Sequence, residues 1–410
     1  MDRAVAITGM GAVTAQGVGV ATTWAGVLAG RDVLQCWSGL NDAAHPLGKV
    51  KVAECPAIAR PVDLPGRLWT KLSRTQQLAC VAMDEAIEQA RLPHDLGDAG
   101  RCGLFLATTV CGMDKNERYY AQYRENPDAA DVDLMRRLRP HEIGALLRRR
   151  HHIRAEGLNH VCLTTCVGSA MAIGSACDAI ALGECEMAIA GGSEALCRVV
   201  LSGFHALKVV SPEGCRPFDK DRPGMTVGEG AGIVVLESVE HAKQRGAMPL
   251  AIVRGFGVTC DAHHITAPDP EARQGARAMR DALERAGLRP EEIDYINVHG
   301  TGTRDNDSME ARAIRKVFQE RMPVVSSTKR ALGHTFGAAG ALEAIVCVQA
   351  IREGMAPVNA GSIQGDPALD VPVVRGESRH MEIRAAMSAN FAFGGNNTAL
   401  VISRETGGGW

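Results

Sequence analysis

Four side chains able to do chemistry stand at the ends of short apolar runs in this chain. Cys166 follows the run 160–164 and precedes Gly168, Ser169 and Ala170, which open a helix apolar on nearly every side. His299 closes the run 294–299 and opens the sequence HGTGT. Lys329 and His334 lie in STKRALGHTFGAAG, ahead of a second strongly apolar helix over 338–352. Each therefore stands at the carboxyl end of a predicted strand, where open α/β sheets build their sites. A cysteine in the first turn of a helix meets unpaired N–H groups and about half a positive charge, which favours the nucleophilic thiolate. Taken singly these residues decide little. A cysteine in apolar surroundings is ordinarily a small buried hydrophobe, twelve others compete with Cys166, and a lone histidine is more often structural. The combination is far more specific than any member of it.

The elements that must position these groups are legible from periodicity. With 410 residues and 46% apolar content, the chain can bury a large core, as one unit or as two halves. A net charge of −2 argues against general nucleic-acid binding. No run of about 18 apolar residues is present to span a membrane, and no signal peptide opens the sequence. Thirteen scattered cysteines without paired CxxC sets fit no zinc module or disulfide scaffold and point to the reducing cytoplasm.

Strands are predicted over 4–8, 102–107, 160–164, 187–190 and 231–237, then over 250–258, 294–299, 324–327, 385–390 and 398–403. The alternation restarts after Gly246-Ala247-Met248-Pro249, which divides the chain into halves 1–249 and 250–410. The order strand, reactive residue, small residues, buried helix occurs twice, at Cys166-Val-Gly-Ser-Ala and at His334-Thr-Phe-Gly-Ala-Ala, and suggests two similar α/β halves. Gly9, Gly11 and Gly17 predict a flexible turn after the first strand. That turn is no dinucleotide loop, because Thr14 stands where the third glycine of GxGxxG belongs. Residues 67–91 have helical spacing, with Arg67, Lys71 and Arg74 on one face. Such a stripe is ordinarily solvated surface, and it also suits an acidic partner. Residues 113–158 read as polar and less regular, crowded with Arg136, Arg137, Arg139, Arg148, Arg149, Arg150 and Arg154, a charge density that would steer an anionic partner.

Read together, these segments resemble the elongating β-ketoacyl-acyl carrier protein synthases of the thiolase-like superfamily. The resemblance runs from AVAITGMGAVTAQG to FAFGGNNTALVIS and includes RPFDKDRPGMTVGEGAG, the HITAPDP loop and the three reactive segments in order. It implies two similar βαβαβαββ-type halves in a five-layered α-β-α-β-α core. It also implies a decarboxylative Claisen condensation, in fatty acid or specialised type II polyketide and polyene biosynthesis. Cys166 would carry the acyl chain as a thioester, with the Cys166 and Phe393 N–H groups as oxyanion hole. His299 and His334 would donate from Nε2 to the enolate of decarboxylated malonyl-carrier protein. Lys329 would hold His334, and Glu343 would anchor Lys329. Thr266, Thr301 and Thr303 match positions that bind the phosphopantetheine arm. Val110 and Cys111 match the acyl-pocket wall, and Phe393 the gate. Arg67, Lys71, Arg74 and Lys208 match carrier-protein docking positions. No metal or organic cofactor is implied. The implied partners are an acyl carrier protein and a second subunit, either identical or a chain-length-factor paralogue.

The sequence departs from the family at several places. Val167-Gly168-Ser169 follows the nucleophile where a hydroxyl residue and Ser-Gly are usual. Ala392 replaces glycine in the gating loop, and Asn396 replaces threonine. These changes suit a specialised synthase. Two readings from other classes stand beside it. A non-catalytic partner subunit would ordinarily lack Cys166, and a Cys-His acyl hydrolase would leave Lys329 and His334 without a task.

Overall fold

The computed structural model describes residues 4–40, 45–97, 101–154 and 157–405. Five strands of the first half are β1 (Val5–Thr14), β2 (Cys102–Ala107), β3 (Asn159–Cys162), β4 (Met187–Glu194) and β5 (Gly230–Ser238). Five of the second are β6 (Ala251–Cys260), β7 (Tyr295–Asn297), β8 (Val324–Ser326), β9 (Ala385–Phe391) and β10 (Asn396–Ser403). Their lateral orders are β3-β2-β4-β5-β1 and β8-β7-β9-β10-β6. The two sets are the same arrangement, and the pairing directions repeat as well. β2 is parallel to β3 and β4, while β5 is antiparallel to β4 and β1. β7 is parallel to β8 and β9, while β10 is antiparallel to β9 and β6. Val5, Ala6 and Ile7 pair with Val253, Ile252 and Ala251, which joins the two sheets through β1 and β6.

The helices that matter here are α1 (Arg74–Gln89), α2 (Met113–Glu125), α3 (His141–Arg150), α4 (Gly168–Ala181), α5 (Arg198–Ala206), α6 (Arg273–Ala286), α7 (Arg304–Phe318) and α8 (Ala339–Glu353). α4 and α8 are apolar nearly all round, so both must be enclosed. They lie between the sheets, where Ala172, Ile173 and Ala176 share one core with Leu342, Ile345 and Val348. α1 covers the outer face of the first sheet, and α6 with α7 covers that of the second. The layers are therefore α-β-α-β-α, as the family resemblance implies. Among the described residues, no helix is long and apolar enough to cross a membrane.

Three local expectations change. β1 does not end in a turn at Gly9 but runs on to Thr14. Its glycines serve packing: a Cβ on Gly9 or Gly11 would stand 2.2 Å from Ala86 O or 1.9 Å from Ala82 O of α1. Gly255 and Gly257 on β6 meet Ala282 O and Ala278 O of α6 in the same way, at 2.1 and 2.0 Å. The helix expected over 67–91 is broken, because Ser73 caps α1 and forms a capping box with Gln76. Arg67 belongs to the separate short helix Gly66–Trp69. The described residues of the polar stretch 113–158 are more ordered than their polarity suggests, since they form α2, the 3-10 turn Val132–Leu138 and α3. Several of their arginines are engaged in ion pairs: Arg150 with Asp63 and Asp84, Arg137 with Glu142.

The end of β5 is tied to β1 by a buried carboxylate. Glu237 accepts from Thr8, His241 and Arg245. Burial by itself would raise its pKa, but the bonds from Arg245, His241 and Thr8 outweigh burial and hold it down to about 2. A carboxyl depressed on folding stabilises the protein above its unfolded pKa, and that stability is lost as pH falls through the folded value. Glu237→Gln is therefore expected to cost about 3 kcal/mol at pH 7, from a depression of roughly two and a half pKa units. Chemical denaturation checks this, and the gap between wild type and variant should close as pH falls from 4.5 to 2.

Candidate active site

Cys166 lies in the 3-10 turn Thr165–Val167, which runs directly into α4. The turn is entered through Thr165 in the left-handed region, at φ 52°. The second half contains the same device, the 3-10 turn Phe336–Ala338 ahead of α8, entered through Phe336 at φ 44°. Counted from their left-handed entries, the two turns place Gly337 at the position that Cys166 holds in the first. His334, which matches Cys166 by local sequence, lies three residues before that position and belongs to the approach to its turn. That approach is fixed from the first half: the His334 N–H donates to Thr226 O at 2.7 Å, and its carbonyl accepts from Gly228 N at 3.0 Å. The glycine-rich stretch before β5 therefore positions a histidine.

The reactive groups converge. Cys166, His299, His334 and Phe393 line one cavity of about 280 Å³, together with Thr266, Thr301 and Thr303. His334 Nε2 stands 3.0 Å from Cys166 Sγ. The His299 ring meets the His334 ring edge-on, with centroids 5.1 Å apart. Lys329 Nζ is 3.3 Å from His299 Nδ1 and pairs with Glu343, whose second oxygen accepts from Asn390 Nδ2. Lys329 therefore contacts His299, not His334 as expected. An ammonium can only donate, so His299 Nδ1 accepts and the ring proton stands on Nε2. His334 Nδ1 is buried with no hydrogen-bond partner among the described residues. Nothing pins its tautomer, and its proton can stand on either nitrogen.

Burial lowers the pKa of both histidines well below the ordinary value, and the Lys329 charge adds to that. Both rings are neutral at physiological pH. Burial also pushes the Cys166 thiol up to about 12, against the pull of Lys329. The helix terminus favours a thiolate, but desolvation of a buried sulfur outweighs it. The resting pair is a neutral thiol beside a neutral imidazole, and the thiolate forms as His334 takes the proton.

Phe393 stacks on Phe204 at 5.6 Å between centroids, Phe204 on Phe336 at 5.0 Å, and Phe336 lies beside His334 at 4.6 Å. Among the described residues no group accepts from the Phe393 N–H. The loop carrying it is held by Ala392 N to Asn396 O at 2.9 Å and by Gly394 N to Ile265 O at 2.8 Å.

The remaining predicted residues divide. Glu343 is buried beneath the site as the counter-charge of Lys329 and does not line the cavity. Val110 packs against the cluster containing Cys166. Cys111 lies outside the cavity lining, held at φ 55° with its N–H on Thr108 Oγ1 at 3.0 Å. Lys208 adjoins Leu207 and Val209 of the lining. Arg67, Lys71 and Lys208 are exposed and pair with no described carboxylate. Arg74 departs from this set. The start of α1 turns its guanidinium inward, onto Glu229 at 2.9 Å and the carbonyls of Cys55 and Pro56.

Two buried glutamates escaped the sequence reading. Glu194 accepts from Thr109 N at 2.6 Å, Val110 N at 3.1 Å and Gly337 N at 3.1 Å, joining the loop after β2 to the turn before α8. Glu310 accepts from His299 N and Gly300 N, both at 2.7 Å, although burial pushes its carboxyl up to about 8. In the sequence Glu194 is marked only by closing the glycine-rich strand end GGSE, and Glu310, inside α7, by nothing local.

Two like α/β halves that meet over one cysteine and two neutral imidazoles define a thiolase-like condensing enzyme, an acyltransferase that works through sulfur. Residues 2–242 match the β-ketoacyl synthase N-terminal domain, and residues 250–362 match the β-ketoacyl synthase C-terminal domain. The chain belongs to the β-ketoacyl synthase family. It is 36% identical over 407 residues to nodulation protein E of Rhizobium meliloti strain 1021, covering 98% of this chain and 100% of that one. It is 33% identical over 420 residues to 3-oxoacyl-acyl-carrier-protein synthase 2 of Staphylococcus aureus strain COL, covering 98% and 99%. The solved ishigamide ketosynthase/chain length factor matches with a TM-score of 0.91 and 33% identity, over 99% of this chain and 100% of that one.

The geometry separates the two histidines. His334→Ala should slow alkylation of Cys166 by iodoacetamide by about 100-fold, the lower end for a lost general base, with thermal stability retained. His299→Ala should leave that rate within about threefold, because Lys329 and not the sulfur is its neighbour. Mass spectrometry of the Cys166 peptide over time checks both.

Proposed function

We propose that the chain lengthens a carrier-bound acyl group by two carbons, as a β-ketoacyl-acyl carrier protein synthase of fatty acid or specialised type II polyketide and polyene assembly. The observation that carries this reading is the pair of neutral imidazoles, one of them 3.0 Å from the sulfur. Cys166 loses its proton to His334 and attacks the acyl thioester, whose oxygen takes the Cys166 and Phe393 N–H groups. The carrier thiol leaves with the proton. Malonyl-carrier protein then enters past Thr266, Thr301 and Thr303, which line the cavity and can hydrogen-bond its pantetheine arm. Breaking the carbon–carboxylate bond releases carbon dioxide and leaves an enolate, whose oxygen is stabilised by N–H donors from His299 and His334. The enolate carbon attacks the Cys166 thioester, and collapse of the adduct breaks the carbon–sulfur bond and releases the 3-oxoacyl product and the Cys166 thiolate, which takes a proton from solvent through His334 to restore the thiol. Loss of carbon dioxide drives the step, so no metal or organic cofactor enters the scheme. A Cys-His hydrolase would need one imidazole and would leave the Lys329-organised His299 idle.

The name of the Staphylococcus aureus relative supports an acyl carrier protein as partner, and the ishigamide ketosynthase/chain length factor supports a paired subunit. β3 lies at the outer end of its sheet, an edge open to a second copy of this chain or to a chain-length-factor paralogue. We place the enzyme in the cytoplasm, a reading that thirteen unpaired cysteines support.

Incubation with labelled malonyl-carrier protein tests the chemistry. Wild type should release carbon dioxide, and Cys166→Gln should keep or raise that release while forming no condensed product. His299→Ala should lower it by about 100-fold or more, the cost of one lost oxyanion donor. Hydrolysis of acyl-carrier protein without carbon dioxide release would favour a hydrolase.

Docking is separable from chemistry. Lys71→Glu with Lys208→Glu should raise KM for carrier-bound substrate and leave turnover of a short pantetheine thioester unchanged. The KM difference should shrink in 1 M salt, where charges are screened within about 3 Å. Equal losses on both substrates would show damage to the site instead.

A further inference from the structure

A second cluster of reactive side chains lies outside the cavity and takes no part in the chemistry above. Asp84 of α1, His94 of the connection after it, and His151 at the end of α3 bring their ligand atoms within 4.8 Å of one another. Asp63 adjoins them, with Oδ2 3.7 Å from His94 Nε2. The His94 and His151 rings are 4.4 Å apart.

The His151 side chain is wholly buried. Its Nδ1 stands 3.1 Å from His94 O, and only a protonated nitrogen can face a carbonyl there. In the neutral ring Nε2 is therefore a bare lone pair. It has no hydrogen-bond partner, and a second acceptor, Asp84 Oδ1, stands 3.5 Å from it. Arg150 donates to that Asp84 oxygen and sends its other N–H groups to Asp63 and Cys80 O, so none of them reaches His151 Nε2. A buried lone pair on His151 that faces a half-buried carboxylate and receives no donor is satisfied by a cation between the two.

We propose that Asp84, His94 and His151 form a binding site for a divalent transition-metal ion of the zinc type, with Asp63 or water as the fourth ligand. Two imidazoles and a carboxylate suit zinc, cobalt or nickel, whereas magnesium and calcium prefer oxygen alone. At metal–ligand distances of about 2.0–2.1 Å, tetrahedral ligands stand about 3.4 Å apart. The separations of 3.5 Å from His151 and 4.0 Å from His94 to Asp84 Oδ1 lie near that spacing. His94 is half exposed, at 51%, so an ion has a way in from solvent and that ring is free to close on it. Asp63, Asp84 and Arg150 together carry one negative charge, which favours entry of a cation. The bound ion fastens α1, the 92–97 connection and the end of α3 to one another. This inference does not rest on the proposed condensation.

The test uses full-length protein stripped with a chelator and titrated with zinc by calorimetry. Wild type should bind one equivalent at this site and gain thermal stability. His94→Ala, a surface change, and His151→Gln should each weaken binding about tenfold or more and abolish the gain. Cobalt as a probe should give visible d–d absorption without a thiolate-to-cobalt band, which binding at Cys166 would produce. Absence of stoichiometric binding, affinity unchanged by His94→Ala, or a thiolate band from the single bound ion would each overturn the proposal.

Discussion

Two apolar helices must share the space between two sheets, and the site follows from how closely they can do so. α4 and α8 touch where a Cβ on Gly340 would fall 2.7 Å from Ala170 N, and Ser169 Oγ accepts from Ala341 N at 2.9 Å. Side chains of ordinary size at those points would part the helices. Their contact brings the start of α4, with Cys166, against the turn that follows His334. It also faces Glu343 of α8 toward Lys329. A sulfur from one half and an imidazole from the other therefore stand 3.0 Å apart without any loop being stretched to reach.

The same enclosure sets the electrostatics. Lys329 and Glu343 are buried together, and breaking such a pair by removing one partner typically costs about 3–5 kcal/mol. Burial, with the Lys329 charge beside His299 adding to it, keeps both imidazoles neutral, which is the form that both gives and accepts a proton. In a site closed to water, an N–H aimed at a developing oxyanion counts for more than it would in solvent. The thiol is held neutral for the same reason, so charge develops only as the reaction proceeds.

The two halves repeat one plan and have diverged in chemistry. Strand order, pairing directions, the glycine pairs beneath α1 and α6, and the left-handed entries at Thr165 and Phe336 all recur. At the equivalent point of the turn, the first half presents Cys166 and the second presents Gly337. Gly337 instead donates its N–H to Glu194 of the first half, so the duplicated turn braces the nucleophile's half and carries no nucleophile of its own.

What could be read in the sequence was local. Cys166, His299 and His334 at strand ends, two restarted alternations of strand and helix, and two helices too apolar for any surface follow from residue type and spacing, because those depend on neighbours along the chain. What only the tertiary structure decided depends on groups far apart in sequence. Lys329 serves His299 because Glu343, fourteen residues on, draws its ammonium to that side. Gly9 and Gly11 extend a strand because α1 lies flat on them, though alone they read as a turn. Arg74 leaves the basic stripe because Ser73 caps a helix there and Glu229 waits beneath it. The Cys166 thiol is protonated because burial, which local spacing does not encode, outweighs the helix terminus.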